Sequence, residues 1–295
     1  MQELVSLLFS TYNKSHMQST LEKRNIRLIS TDLDGTLLNR MSEVSERSQA
    51  ALQEARSRGI IVVINSGRPW PSVHSRIPEG LYDYASCMNG QDVHDVRNGT
   101  HMEMPRLDIE DLHALYRIAC RHMTAMEVYQ DGRSITACGL AYAPLGQLYS
   151  LVSWIHWRLR GYHPRRTPIL TGWRDDAFFP SGKACFAGSS TALRRILEEL
   201  PDNLSGTFVN LNWLEVQRKG ISKGLALAKI MAAENIPADQ AVGFGDGEND
   251  ISMLDACGIR VAMANAMPAL RAHATDTAPS NEKDGVAAWL ETHVF

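Results

Sequence analysis

Apolar residues recur along this chain in two alternating rhythms: short runs bounded by polar or glycine positions, and longer stretches with apolar residues three and four apart. Ile26 to Thr31 reads as a strand that ends at Asp32. Ser45 suits a helix N-cap, and the helix it opens runs through Ala51, Leu52 and Ala55 to Gly59, a residue suited to the position just past a helix end. Ile60-Ile61-Val62-Val63-Ile64 follows. Such an unbroken β-branched run belongs to a strand buried on both faces, as in a parallel sheet. Strand, helix, strand in this order predicts a right-handed βαβ unit.

The C-terminal part repeats the rhythm. Ser222 caps a helix through Leu225, Leu227, Ala228 and Met231, and Ala241 to Gly245 reads as a strand. A helix from about Glu248 to Ala256, a strand at Ile259 to Met263, and helices over Asn265 to Ala274 and Glu282 to Thr292 complete it. This alternation predicts an α/β, doubly wound, mainly parallel Rossmann-like sheet. The middle of the chain differs. Asp108 to Met123 is an amphipathic helix, and strands at Met126 to Gln130 and Ser134 to Cys138 flank the turn Asp131-Gly132-Arg133. A helix through Leu148, Leu151, Trp154 and Leu159 is expected next. Strand candidates at Lys183 to Gly188 and Gly206 to Val216 come after it, with a helix at Thr191 to Leu200 between them. The expected layout is an N-terminal extension over 1–25, an α/β core over 26–91 and 206–295, and an inserted α+β cap domain over 92–205.

Composition removes several function classes. With 295 residues, 44% of them hydrophobic and 21% charged, the chain is an ordinary globular protein long enough for two domains. Its 30 basic and 33 acidic residues give a net charge of −3, which carries no electrostatic footprint for nucleic acid. The early apolar stretch Leu4 to Phe9 is too short to span a membrane and has no basic flank before it. The five cysteines are odd in number and lack C-x-x-C spacing, so neither a disulfide framework nor a zinc site is expected. A cytoplasmic protein is the simplest reading.

Four short polar motifs then fall where the pattern places strand ends or helix starts. Asp32-Leu33-Asp34-Gly35-Thr36 comes directly after the first strand. Two carboxylates one residue apart can divide nucleophilic attack and proton transfer, and Gly35 lets backbone amides turn toward an anion. Asn65-Ser66-Gly67-Arg68 comes after the second strand; its hydroxyl and amides can hold a phosphate oxygen. Lys223 stands in the first turn of a helix, where the macrodipole disfavours a cation unless an anion faces it. Gly245-Asp246-Gly247-Glu248-Asn249-Asp250 offers hard oxygen ligands after a further strand. Taken singly, each has a plain structural reading: a solvated turn, a Ser-Gly turn, an exposed lysine, an acidic helix cap. Together they gather acids, a hydroxyl and a lysine at one rim of one sheet, where open α/β sheets bind ligands.

In order and spacing these motifs resemble those of the haloacid-dehalogenase (HAD) superfamily. The long gap between Arg68 and Lys223 resembles the class II, subtype B cap of its Cof-like hydrolases, and Asn89-Gly90 resembles the turn by which that family enters the cap. The resemblance implies a magnesium-dependent phosphatase of small phosphorylated metabolites, such as sugar phosphates or cofactor-precursor phosphates. It implies Asp32 as nucleophile and Asp34 as acid and base, working through an aspartyl-phosphate. Asp32, the Asp34 backbone carbonyl and Asp246 would ligate Mg2+, with Asn249 and Asp250 behind them. Gly35, Ser66, Gly67, Lys223 and Asn249 would bind phosphate. No nucleic acid or membrane partner is implied. A phosphomutase or a non-catalytic phospholigand-binding protein would use the same core motifs, although a binder needs neither Asp32 nor Asp34.

Overall fold

The computed structural model describes residues 25–130, 133–138, 169–210 and 212–295, with the isolated positions Leu148, Leu151 and Ile155. The extension read over 1–25, apart from Asn25, lies outside the described residues, as do Asp131 and Gly132 of the expected turn and most of the helix expected from Leu148 to Leu159. The chain divides into two compact units. The first holds the described residues up to Met102 together with Ser222–Phe295, and the second is Glu103–Ile221.

The first unit is built on an eight-stranded sheet of order β14-β13-β12-β1-β2-β3-β4-β5. The central strands are β1 (Leu28–Thr31), β2 (Ile61–Asn65) and β3 (Tyr84–Cys87) on one side. On the other are β12 (Ala241–Gly245), β13 (Ile259–Met263) and β14 (Asp276–Ala278). These six pair in parallel. β4 (Asp92–Asp95) and β5 (Thr100–Met102) extend the sheet antiparallel beyond β3. The apolar runs of the sequence are the buried middle of this sheet: Ile29, Val62, Ile64, Val242 and Phe244 lie in one core cluster with Trp289. The helices start where the sequence sets their caps. The Ser45 hydroxyl accepts from the Ser48 amide before α1 (Glu46–Ser57), and Gly59 adopts φ +77 beyond its end. Ser222 accepts from the Leu225 amide at the start of α5 (Lys223–Ala233).

The second unit has a six-stranded sheet of order β10-β11-β9-β6-β7-β8. Its strands are β6 (Ala125–Gln130), β7 (Arg133–Cys138), β8 (Ile169–Thr171), β9 (Lys183–Ala187), β10 (Leu204–Asn210) and β11 (Trp213–Arg218). Helices α3 (Ile109–Arg121) and α4 (Ser190–Glu198) belong to this unit, where Leu112, Leu115, Met126, Phe186, Ile196 and Leu214 form a separate core. Asp108 and Asp111 form a reciprocal capping box at the start of α3.

Several expectations need correction. The stretch Asp92–Met102, expected in the cap, pairs as β4 and β5 with the first unit's sheet, while β10 and β11 belong to the second. Asn89-Gly90 therefore leads into β4 rather than out of the unit. Gly206 to Val216 is not one strand: β10 and β11 form an antiparallel hairpin. The helix expected over Asn265 to Ala274 shrinks to α7 (Pro268–Arg271), because Met267 precedes a proline and is extended, with ψ 146. The helix expected from Glu282 begins at Gly285, as α8 (Gly285–His293), after Asp284 takes a left-handed φ of 52. Asp246 is followed by a 3₁₀ turn over Glu248–Asp250, and only then by α6 (Ile251–Ala256).

Candidate active site

Sheet order explains why the motifs meet. β1 lies between β12 and β2, so Asp32, Ser66 and Asp246 leave three adjacent parallel strands at the same end. The strand hydrogen bonding continues into the motifs: Asp32 N–H donates to the Phe244 carbonyl at 3.0 Å and Ser66 N–H to the Ser86 carbonyl at 2.8 Å. Asn65, the last residue of β2, donates from Nδ2 to the Lys223 carbonyl at 3.0 Å and so ties the first turn of α5 to this rim.

Lys223 is fully buried. Its Nζ donates to Asp32 Oδ1 and to Asp250 Oδ1, each at 2.5 Å. The anion expected in front of this lysine is thus a pair of the protein's own carboxylates. Burial opposes the ammonium charge, yet Asp32 and Asp250 together lift Lys223 above the ordinary lysine range. Asp250 is fixed from the other side, where its Oδ2 accepts from the Asp246 and Gly247 amides at 3.0 Å each.

Asp32, Asp246 and Asp250 each place a carboxylate oxygen within 4.8 Å of the others. Burial pushes the Asp32 carboxyl up to about 7 and Asp250 adds to the rise, while Lys223 pulls against both. Burial and then Asp250 push Asp246 up to about 6. Three carboxylates around one ammonium leave an excess of negative charge in a poorly solvated place. That excess, with an all-oxygen donor set, fits a hard divalent cation. Thr36 Oγ1 donates to Asp246 Oδ1 at 3.3 Å. Gly35, at φ +79, lies so close that a Cβ there would sit 2.2 Å from Asp246 Oδ2.

Asp34 stands apart from this cluster. Its side chain is 55% exposed and is clamped by Arg68, with Nε donating to Oδ2 at 2.6 Å and Nη2 to Oδ1 at 2.5 Å. Sequence reasoning named Arg68 within its motif but gave it no role; a guanidinium three residues beyond a strand end was the available signal. Ser66 is buried, and its hydroxyl accepts from the Arg68 amide at 3.2 Å. Gly67 lies against Asn89, where an added Cβ would approach Asn89 Oδ1 to 3.2 Å. Asn89 adopts φ 58, and its Oδ1 accepts from Asn249 Nδ2 at 3.1 Å. Asn89, whose amide also donates to the Ser66 carbonyl at 3.0 Å, therefore links the second and fourth motifs, and its bond with Asn249 joins residues 160 apart that no local pattern announces.

With this geometry in place, the comparisons with known proteins are direct. The family model for haloacid dehalogenase-like hydrolases matches residues 29–290. The chain belongs to this family. A pyridoxal phosphate phosphatase of Escherichia coli, YbhA, is 27% identical, over 91% of this chain and 99% of that one. An HMP-PP phosphatase of Klebsiella pneumoniae is 30% identical, over 83% and 87%. Among solved structures, the phosphatase BT1666 from Bacteroides thetaiotaomicron superposes with a TM-score of 0.76 at 24% identity, covering 90% of this chain and 94% of that one. Family membership bears out the expected enzyme class, and the fold likeness bears out the α/β architecture. Among the described residues, no helix is long and apolar enough to cross a membrane.

Proposed function

We propose that this hydrolase is a magnesium-dependent phosphatase of small phosphorylated metabolites that works through an aspartyl-phosphate on Asp32. The observation that carries the reading is the buried Lys223 ammonium shared by Asp32 and Asp250, with Asp246 beside them. A binding protein needs no carboxylate held in this way. The named activities of the relatives, on pyridoxal phosphate and HMP-PP, support small cofactor-related phosphates as the substrate class. All five cysteines are free, which supports a cytoplasmic setting.

In this mechanism Lys223 fixes one oxygen of Asp32, and the other attacks phosphorus in line as the bond to the leaving oxygen breaks. Asp34 gives that oxygen a proton, then takes one from the water that cleaves the aspartyl-phosphate, restoring Asp32 and releasing phosphate. Both Asp34 oxygens accept from Arg68, which orients the carboxylate while leaving each oxygen a further lone pair for the proton it moves. Ser66, the Gly35 and Gly67 backbone and Lys223 line the place of the phosphoryl oxygens, where a fixed cation acts most strongly in the transition state. Asp32, Asp246 and the Asp34 carbonyl would hold Mg2+, with Asp250 and Asn249 orienting that shell; the ion would supply positive charge to the phosphoryl oxygens. The test is phosphate release with magnesium across a panel of phosphorylated sugars and vitamin-derived phosphates. Turnover of at least one metabolite supports the reading, and no release from any of them, nor from a simple aryl phosphate, overturns it.

A further inference from the structure

The β4–β5 hairpin carries a second group of metal-ligating side chains. Asp92 and His94 lie two residues apart on β4 and so share a face, and His94 pairs directly with His101 across the ladder. His94 Nε2 lies 2.8 Å from Asp92 Oδ2, and His101 Nδ1 lies 3.8 Å from Asp92 Oδ1. One ligand atom from each of the three falls within 4.8 Å of the others. Trp70, on the short helix α2 (Trp70–His74), stacks on the His94 ring at 4.1 Å and 17° and fixes its orientation.

Ion pairing alone accounts poorly for this arrangement. The two imidazole rings lie 4.2 Å apart and face opposite oxygens of one carboxylate. Asp92 can balance one imidazolium, and charging both rings would set two cations side by side. A divalent cation uses both neutral imidazoles and the carboxylate at once. Nitrogen donors select against magnesium and calcium and suit zinc and its neighbours, while three protein ligands leave a position for water. We propose that Asp92, His94 and His101 form a second cation site, for zinc or a similar borderline divalent ion, distinct from the carboxylate cluster at Asp32. His94 is nearly buried and held by the tryptophan, whereas the His101 side chain is 63% exposed and leaves the site open to solvent. The ion would take a ring-nitrogen lone pair of each histidine, so both would bind it as neutral imidazoles.

The test is calorimetric titration of the full chain with zinc in saturating magnesium, which favours the all-oxygen cluster. One zinc per chain is expected. His101→Ala removes an exposed side chain and should leave the melting temperature of the zinc-free protein unchanged while weakening zinc by at least about tenfold, the lower bound for losing even an outer partner of a metal ligand. Asp92→Asn should weaken it likewise, and Asp246→Asn should leave it unchanged. Cobalt, used as a spectroscopic probe, should show visible bands that His101→Ala alters. The proposal is overturned if zinc does not bind, if His101→Ala and Asp92→Asn bind it as tightly as the native chain, or if Asp246→Asn abolishes it.

Discussion

Replacing Lys223 by methionine removes the ammonium that Asp32 and Asp250 share while keeping a side chain of similar length. Lys223 is 0% exposed at its side chain, and its partners are 8% and 1% exposed, so water cannot take its place. Deleting one partner of a buried ion pair costs about 3–5 kcal/mol, because the remaining charge is stranded. Two carboxylates are stranded here, yet the cost does not double. Asp32 already sits at about 7 with the lysine present, so without it the carboxyl takes up a proton near neutral pH. A loss near the lower end, about 3 kcal/mol, corresponds to a fall in melting temperature of roughly 6–12 °C for a domain of this size. Activity falls because the cation that fixes Asp32 and faces the phosphoryl oxygens is gone. Loss of one such stabilising group typically costs about 10²–10³ in kcat. Thermal melts followed by circular dichroism, without metal, and phosphate release from an aryl phosphate with magnesium measure the two effects. A variant that melts within about 2 °C of the native protein and turns over within a few-fold of it would refute the reasoning.

The same cluster sets three further outcomes. Chelation should abolish phosphate release, and Asp246→Asn should raise the magnesium concentration needed for half-maximal rate; full activity in metal-free buffer contradicts the assignment of that rim. Gly35→Ala should lower melting temperature and turnover together, because its backbone is at φ +79 and its Cβ would lie 2.2 Å from Asp246 Oδ2; a left-handed position typically penalises a side chain by about 1–3 kcal/mol. Arg68→Ala should leave the fold intact but slow turnover of poor leaving groups more than good ones, since it releases the clamp on Asp34; equal slowing of both would assign Arg68 to phosphate binding instead.

The parts of this protein legible in its sequence are those where a local pattern has one physical solution. The β-branched run ending at Ile64 can only be a buried strand, Ser45 and Ser222 can each cap a helix, and the polar motifs sit at the ends of those elements. Lys223 was recognisable as out of place at a helix start, and its two carboxylate partners account for it. The features that stayed hidden depend on distant partners. In the Asp92-Val93-His94-Asp95 strand only Val93 is apolar, so no apolar run marks it as part of the core sheet. The left-handed Asn89, the Asn89–Asn249 bond and the Arg68–Asp34 clamp join residues far apart in the chain. Pro268 broke an apolar period that otherwise reads as one long helix.

The central claim is that Asp32 takes the phosphoryl group and Asp34 moves the protons. The most direct measurement is mass spectrometry of the Asp34→Asn protein after brief reaction with an aryl phosphate bearing a good leaving group. Such a substrate needs no proton to depart, so Asp32 should still be phosphorylated. Hydrolysis then lacks its base, a loss typically of about 10²–10⁴-fold, and the intermediate should accumulate. The account predicts the added mass of one phosphoryl group on the peptide containing Asp32, absent when Asp32→Asn is combined with the first substitution. A label on Ser66 or His74, or normal turnover by Asp32→Asn alone, would contradict it.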